Sequence, residues 1–195
     1  MARPLDHDKR IHLLGDVVRY ISEHGLVDLS LRPLAAALGT SSRMLIYYFG
    51  TKEELLVQAL ATQHPDLGAP LEWVSDPDSL RLHLEELWTS TTVGESSISA
   101  GILLQVIGVA PQQHGLYEDF ARSAMNRLVG AVTDAIVRCG CTPRDAASHA
   151  TVAVAGLRGI LQDRLITGDI DRTDRAAMQL IDLITRTAEA AAPTQ

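Results

Sequence analysis

Apolar residues recur along the 195-residue chain at intervals of three and four, the spacing of helices that bury one face. Ile11, Leu14, Val18 and Ile21 predict a first helix over about residues 6–24, stopped by Gly25. Ser30 can cap a second helix, with Pro33 tolerated in its first turn and Leu34, Ala35 and Leu38 on its inner face. Thr40, Ser41 and Ser42 offer caps for a third, which carries Leu45, Ile46 and Phe49. Thr51 and Glu54 stand at capping-box spacing before Leu55, Leu56, Ala59 and Leu60 of a fourth.

Residues 64–78 hold three prolines and a glycine and are the best candidate for a linker. Five more helices are expected, at about residues 77–92, 97–109, 114–138, 143–167 and 173–191. Thr142-Pro143 opens the fourth of these as an N-cap with proline at the first helical position. No alternating strand pattern and no internal repeat interrupts them. The expected fold is all-α with about nine helices.

Composition adds little to this picture. The chain is 46% hydrophobic and 21% charged, ordinary for a soluble protein, and its scarcity of aromatics (4%) beside abundant Ala and Leu favours helices. No apolar run reaches the roughly 20 residues that span a membrane, and the first ten residues lack the apolar stretch of a signal peptide, so a cytoplasmic protein with no membrane partner is expected. Charge changes more. A net charge of −7 speaks at first against nucleic-acid binding. Yet of 17 basic and 24 acidic side chains, seven of each fall in residues 1–60, so the excess of acid lies wholly beyond them. A DNA contact would rest on a local basic face, with the acidic remainder helping to orient it.

Candidate chemistry is sparse. Cys139 and Cys141 are the only cysteines, too few for a four-cysteine zinc site or a disulfide framework. They read as reduced, partly buried thiols near a helix end, with a redox switch as the alternative. The seven histidines show no metal-ligand spacing. There is no phosphate-cradling glycine loop, no nucleophile elbow and no clustered acid–base set. No metal, no cofactor and no enzymatic activity are expected.

Residues 30–52 are the informative stretch. A short apolar helix runs into Gly39, a polar turn follows, and a second short helix is closed by aromatics and Gly50. That is the form of a helix-turn-helix, whose second helix can enter the DNA major groove. Arg43 stands near the start of that helix, where a guanidinium can bond guanine O6 and N7; a phosphate contact or a solvated arginine are the other readings. Ser41, Ser42 and Met44 share the face, either for DNA or for capping and core packing. Tyr47 and Tyr48 can offer hydroxyls to phosphates, one of them being the better core residue. Lys52 begins the next helix, where its charge and free backbone N–H groups suit a phosphate. Arg3, Lys9 and Arg10 form either a minor-groove arm or a solvated tail.

The last two helices are apolar on more than one face. Ala150, Ala153, Val154, Leu157, Ile160 and Leu161 stripe one of them, with Gly156 and Gly159 open to close approach; Ala177, Leu180, Ile181 and Ile184 stripe the other. Either these faces form a core within one chain, or the hairpin pairs with a second copy as a four-helix interface. The second reading is preferred because it suits DNA recognition by two-fold dimers, and it assigns Ala153, Gly156, Leu157, Ile160, Leu180, Ile181 and Ile184 to the interface.

The stretch Asp28–Leu56, most specifically Leu45–Leu56 with its Tyr-Phe-Gly-Thr-Lys-Glu-Glu-Leu-Leu ending, resembles the DNA-binding domain of the TetR family of bacterial transcriptional regulators. A weaker likeness lies in Gly156–Asp169. The resemblance implies an all-α homodimer. Its N-terminal three-helix head (residues 1–50) would bind a DNA operator, followed by a connecting helix (51–63) and a helical ligand-binding and dimerisation body (64–195). It implies a repressor released from a palindromic operator by a small-molecule effector. It also gives Arg32 a base or phosphate contact, and places a pocket in the body. Candidate lining residues are Leu84, Trp88, Leu103, Val106, Tyr117, Phe120 and Leu161, with Gln105, His149 or Arg158 as polar handles. Arg43 stands where the family has a small residue, and Ile46 where it has tyrosine. An alternative is therefore a helical small-molecule-binding or scaffold protein with a degenerate head.

Overall fold

Local stop and start chemistry cuts the chain into helices at the expected places. The computed structural model describes residues 7–26, 29–62, 69–112 and 115–191. Among these, nine α-helices follow in order: α1 (His7–His24), α2 (Leu31–Ala37), α3 (Ser42–Phe49), α4 (Lys52–Thr62), α5 (Pro77–Thr92), α6 (Glu95–Val109), α7 (Leu116–Arg138), α8 (Pro143–Thr167) and α9 (Ile170–Ala191). Two short 3₁₀ turns, Ala69–Trp73 and Ala110–Gln112, complete the list, and the described residues contain no strand. The fold is all-α. No single described helix is long and apolar enough to cross a membrane.

The chain divides into two compact units, one of Met1–His64 with Ile98–Ala121, the other of Pro65–Ser97 with Arg122–Gln195. The first unit packs α1–α4 around Leu14, Val17, Ile21, Leu34, Leu45 and Leu56, each almost fully buried. Burial of such a side chain stabilises by roughly 1.5–3 kcal/mol. Ile11 shares the angular face of Val18 but is 52% exposed, because the core ends a turn before it. Ile102 and Val106 of α6 and Tyr117 of α7 belong to this same core.

The second unit is built on α5, α8 and α9. Residues 69–76, expected as linker, are docked here. Leu71 and Val74 are buried, and Arg138 donates Nε–H to the Val74 carbonyl (2.7 Å) and an Nη–H to the Leu71 carbonyl. Residues 64–68 of the expected linker lie outside the described residues. Asp76 then caps α5, accepting the Ser79 N–H at 2.8 Å. At the other end, Thr142 caps α8 as expected, and Gly168 takes the left-handed conformation (φ 69°) that ends it. α9 starts three residues earlier than expected because Asp169 accepts the Arg172 N–H at 3.1 Å.

In the α8–α9 hairpin the residues expected at an interface take different positions. Ala153, Leu157, Ile181 and Ile184 are buried within the single chain. Gly156 lies under Leu180 of the same chain, and both are half-buried, as is Ile160. Gly159, in contrast, faces open space. The outward apolar stripe of α8 is Val152, Ala155, Gly159 and Ile166, with Leu183 outward on α9.

Candidate nucleic-acid interface

α2 ends in a Schellman-type turn. The Thr40 N–H reaches the Ala35 carbonyl at 2.9 Å across Gly39, whose φ of 63° suits a residue without a Cβ. Ser41 then caps α3, its hydroxyl oxygen accepting the Met44 N–H at 3.2 Å. Ser30 occupies the cap position of α2 with extended backbone, but its side chain makes no capping bond. Two side-chain bonds to main chain hold α3 in place. Ser42 Oγ donates to the Leu31 carbonyl at 3.2 Å, and Gln58 Nε2 of α4 donates to the Phe49 carbonyl at 3.2 Å.

With Leu45 and Phe49 facing inward, α3 presents Arg43, Ile46 (43% exposed) and Tyr47 (54% exposed) to solvent. Met44 is half-buried, and Tyr48 packs against the core cluster, so Tyr47 is the one of the two tyrosines with an open ring. Of the apolar residues that α3 carries, Leu45 and Phe49, one turn apart, reach the core, and Ile46 lies outward. Arg32 is exposed in the first turn of α2.

After Gly50 (φ 88°) the expected capping box is present. Glu54 Oε2 accepts the Thr51 N–H at 2.6 Å, and Thr51 Oγ1 accepts the Glu54 N–H at 3.1 Å. Lys52 Nζ donates to the Leu29 carbonyl at 3.2 Å, which leaves two of its three N–H groups.

Arg10 is not part of a free arm. Its guanidinium donates to Gln58 Oε1 and lies over the Phe49 ring, 5.5 Å from the centroid. Arg3 lies outside the described residues, and Lys9 is exposed. Neither Gln58 nor its link to Arg10 carries a signal in the sequence: the two residues are 48 apart, and a glutamine on a helix is unremarked by any spacing rule.

The expected pocket residues divide between the units. Leu103, Val106, Tyr117 and Phe120 fall in the first; Leu84, Trp88 and Leu161 fall in the second. Trp88 is a packing residue there. Its indole N–H donates to Asp174 at 2.8 Å, and Arg164, bonded to the same carboxylate at 2.6 Å, lies over its ring. Of the expected handles, Gln105 accepts the Leu26 N–H at 2.8 Å, Arg158 donates to Met125 Sδ at 2.9 Å, and His149 is half-buried. No group of three or more His, Cys, Asp or Glu among the described residues could hold a metal ion.

Residues 18–59 match the family model described as bacterial regulatory proteins, tetR family. Those residues run from the middle of α1 through the helix-turn-helix into α4. The helix-turn-helix head is similar to that of the TetR family. Solved structures of transcriptional regulators agree in fold over nearly the whole chain. A transcriptional regulator from Rhodococcus sp. Rha1 is 20% identical with a TM-score of 0.77, covering 92% of this chain and 97% of its own. A TetR transcriptional regulator from Legionella pneumophila is 16% identical with a TM-score of 0.74, covering 93% and 98%. A structure from Saccharomonospora viridis in complex with choline, named for a transcriptional regulator, is 23% identical with a TM-score of 0.75, covering 91% and 95%. A search of curated proteins gives no match. At these identities the likeness is one of fold, and the family model and the helix-turn-helix geometry coincide over residues 18–59.

Proposed function

We propose that this TetR-type chain is a dimeric, ligand-responsive DNA-binding regulator, a repressor that leaves a palindromic operator when a small molecule binds its body. The observation that supports this most is where its positive charge is left uncompensated. Arg10 and Lys52 of the head are held by neutral oxygens, and Arg32 and Arg43 have no ion pair among the described residues. In the other unit Arg81, Arg164 and Arg172 each pair with an aspartate, while Arg138 is held by carbonyls; in the head, Arg19 of α1 pairs with Asp16. A chain with net charge −7 thus keeps Arg32, Arg43 and Lys52 clear of carboxylates around the helix-turn-helix, where phosphates would meet them.

In this reading α3 enters the major groove. Arg43 bonds a guanine edge, Ile46 and Met44 pack on thymine methyls, and Arg32, Tyr47 and Lys52 hold phosphates. Ser41 keeps its hydroxyl proton for DNA, since capping uses only its oxygen; the Ser42 proton is engaged by Leu31, so Ser42 contributes chiefly to the pose of α3. Residues 1–50 read DNA, residues 51–63 connect, and residues 64–195 receive the effector and the second subunit. Val152, Ala155, Gly159, Ile166 and Leu183 supply the subunit contact, placing two α3 helices on successive major grooves. The effector favours the non-binding arrangement by binding it more tightly. The choline bound by the Saccharomonospora viridis protein makes small-molecule binding to this fold concrete.

The test is enrichment of duplexes from a random 30-base-pair pool at low salt. A recurring palindrome, bound with an affinity that falls steeply with salt, is expected; an unenriched pool would leave a helical binding protein with a degenerate head. Val152→Asp combined with Ile166→Asp is expected to yield monomers in analytical ultracentrifugation.

A further inference from the structure

Helix α3 is short and its C-terminal carbonyls have no intrahelical partners, so something outside it must fix its tilt. The Phe49 carbonyl, last in the helix, accepts from Gln58 Nε2 at 3.2 Å. The other end of that amide, Oε1, accepts from Arg10, whose guanidinium also covers the Phe49 ring. Three helices therefore meet in one relay: α1 donates to α4, and α4 donates to the end of α3. An amide is the only side-chain group of that length that accepts on one atom and donates on the other. A carboxylate would hold Arg10 more strongly and could not donate to Phe49 at all. The cation also sits at the negative end of the α3 dipole.

We propose that Arg10 and Gln58 are positioning residues for DNA recognition: they set the pose of α3 without touching DNA, and position 58 must be a neutral amide to do so. This rests on the DNA-binding reading above. It assigns Arg10 a role opposite to that of a minor-groove arm, and the two are separable because only a phosphate contact changes the salt slope.

The experiment compares wild type, Gln58→Glu, Arg10→Met and Arg10→Lys. It uses the duplex that the wild-type protein enriches, and amide hydrogen exchange of residues 46–50 without DNA. Gln58→Glu is expected to melt no lower than wild type, yet to exchange about tenfold faster at the end of α3 and to bind the duplex about tenfold more weakly. Arg10→Met and Arg10→Lys should weaken binding with the slope of log affinity against log salt unchanged. Unchanged exchange and affinity in Gln58→Glu would overturn the proposal. So would a slope reduced by about one in Arg10→Met, which would make Arg10 a phosphate contact. If wild type enriches no duplex, the DNA-binding reading fails on its own, and the exchange arm still decides whether the relay fixes α3.

Discussion

Each unit of the molecule lays an arginine over an aromatic ring, and the two are satisfied in opposite ways. In the unit carrying the helix-turn-helix, Arg10 covers Phe49 and donates to a neutral amide, Gln58. In the other, Arg164 covers Trp88 and donates to the Asp174 carboxylate, which the Trp88 indole shares. The geometry of the two stacks is nearly the same, with guanidinium-to-centroid distances of 5.5 and 5.8 Å. The electrostatic outcome differs: the first leaves a full positive charge beside α3, and the second cancels it inside a helix bundle. The contrast belongs to these two stacks, since Arg138 of the second unit is held by carbonyls and Arg19 of the first pairs with Asp16. Where helices need only be held together, aspartate partners lower the cost of a partly buried cation. At the end of α3, a neutral amide holds the arginine and leaves its charge facing the negative end of the helix dipole.

The largest effect expected from this contrast is structural. Asp174→Ala removes one acceptor from two donors, leaving the mostly buried Arg164 without a carboxylate and Trp88 without a hydrogen-bond partner. With the carboxylate itself partly exposed, the loss is about 2 kcal/mol, or roughly 4–8 °C in melting temperature by calorimetry. DNA affinity measured well below the transition should not move. Arg43→Ala is expected to do the reverse: roughly tenfold weaker binding in fluorescence anisotropy, relaxed choice at one base pair, and an unchanged melting temperature. A melting loss in Arg43→Ala, or a binding loss in Asp174→Ala, would erase the division of labour between the two sets of cations.

Glycines sharpen the same comparison on a smaller scale. Gly50 in the head has φ 88°, and a Cβ there would collide with the Glu54 carboxylate that caps α4. Gly50→Ala is expected to lower stability by about 1 kcal/mol in urea titration, because strain and a disturbed cap add. Gly156 in α8 has ordinary helical backbone, and its added Cβ would meet only a terminal methyl of Leu180. There the gain in helix propensity opposes a small repacking, so Gly156→Ala should stay within about 0.5 kcal/mol of wild type.

These features were not equally visible in the sequence. Caps and stops are written within a few residues of where they act, so Ser41, Gly39, the Thr51–Glu54 box and Thr142 could be read directly. Relays that close across the fold could not. Arg10 and Gln58 are 48 residues apart, Trp88 and Asp174 are 86 apart, and no periodicity marks either pair. α8 was ambiguous for another reason. It is apolar on two stripes, and the pattern alone does not say whether Ala153–Leu157 or Val152–Ala155–Gly159 faces the core. Its partner α9 decides that. The proline-rich segment before α5 looked like a tether because its anchor, Arg138, lies 64 residues further on.

Each unit also holds one weak acid that burial shifts clearly upward, and these two groups separate the units by pH. Burial pushes the Tyr117 hydroxyl up to about 12 from 10.0, helped by the negative charge of Glu53. Burial likewise raises the Cys139 thiol to about 11 from 9.0, with Asp76 adding to the shift and Arg138 opposing it. Below pH 9 both groups are protonated whether the chain is folded or not, and their contribution to stability is fully present. Above that, the unfolded chain releases the Cys139 proton while the folded chain keeps it. Stability of that unit therefore falls between about pH 9 and 11. Tyr117 adds the same loss to the helix-turn-helix unit between about pH 10 and 12. Trp73 and Trp88, the only tryptophans, both lie in the Cys139 unit, so their emission follows it during urea unfolding. Cys139→Ala is expected to remove the decline in tryptophan-monitored stability over pH 9–11, and Tyr117→Phe to leave that decline in place. A decline that survives Cys139→Ala would mean that other groups govern alkaline loss. The same shift makes a kinetic statement at pH 8, where a thiol raised by about two units holds about 100-fold less thiolate. Cys139 should therefore resist iodoacetamide in the folded protein and react promptly in urea, a contrast that a reactive redox thiol would not show.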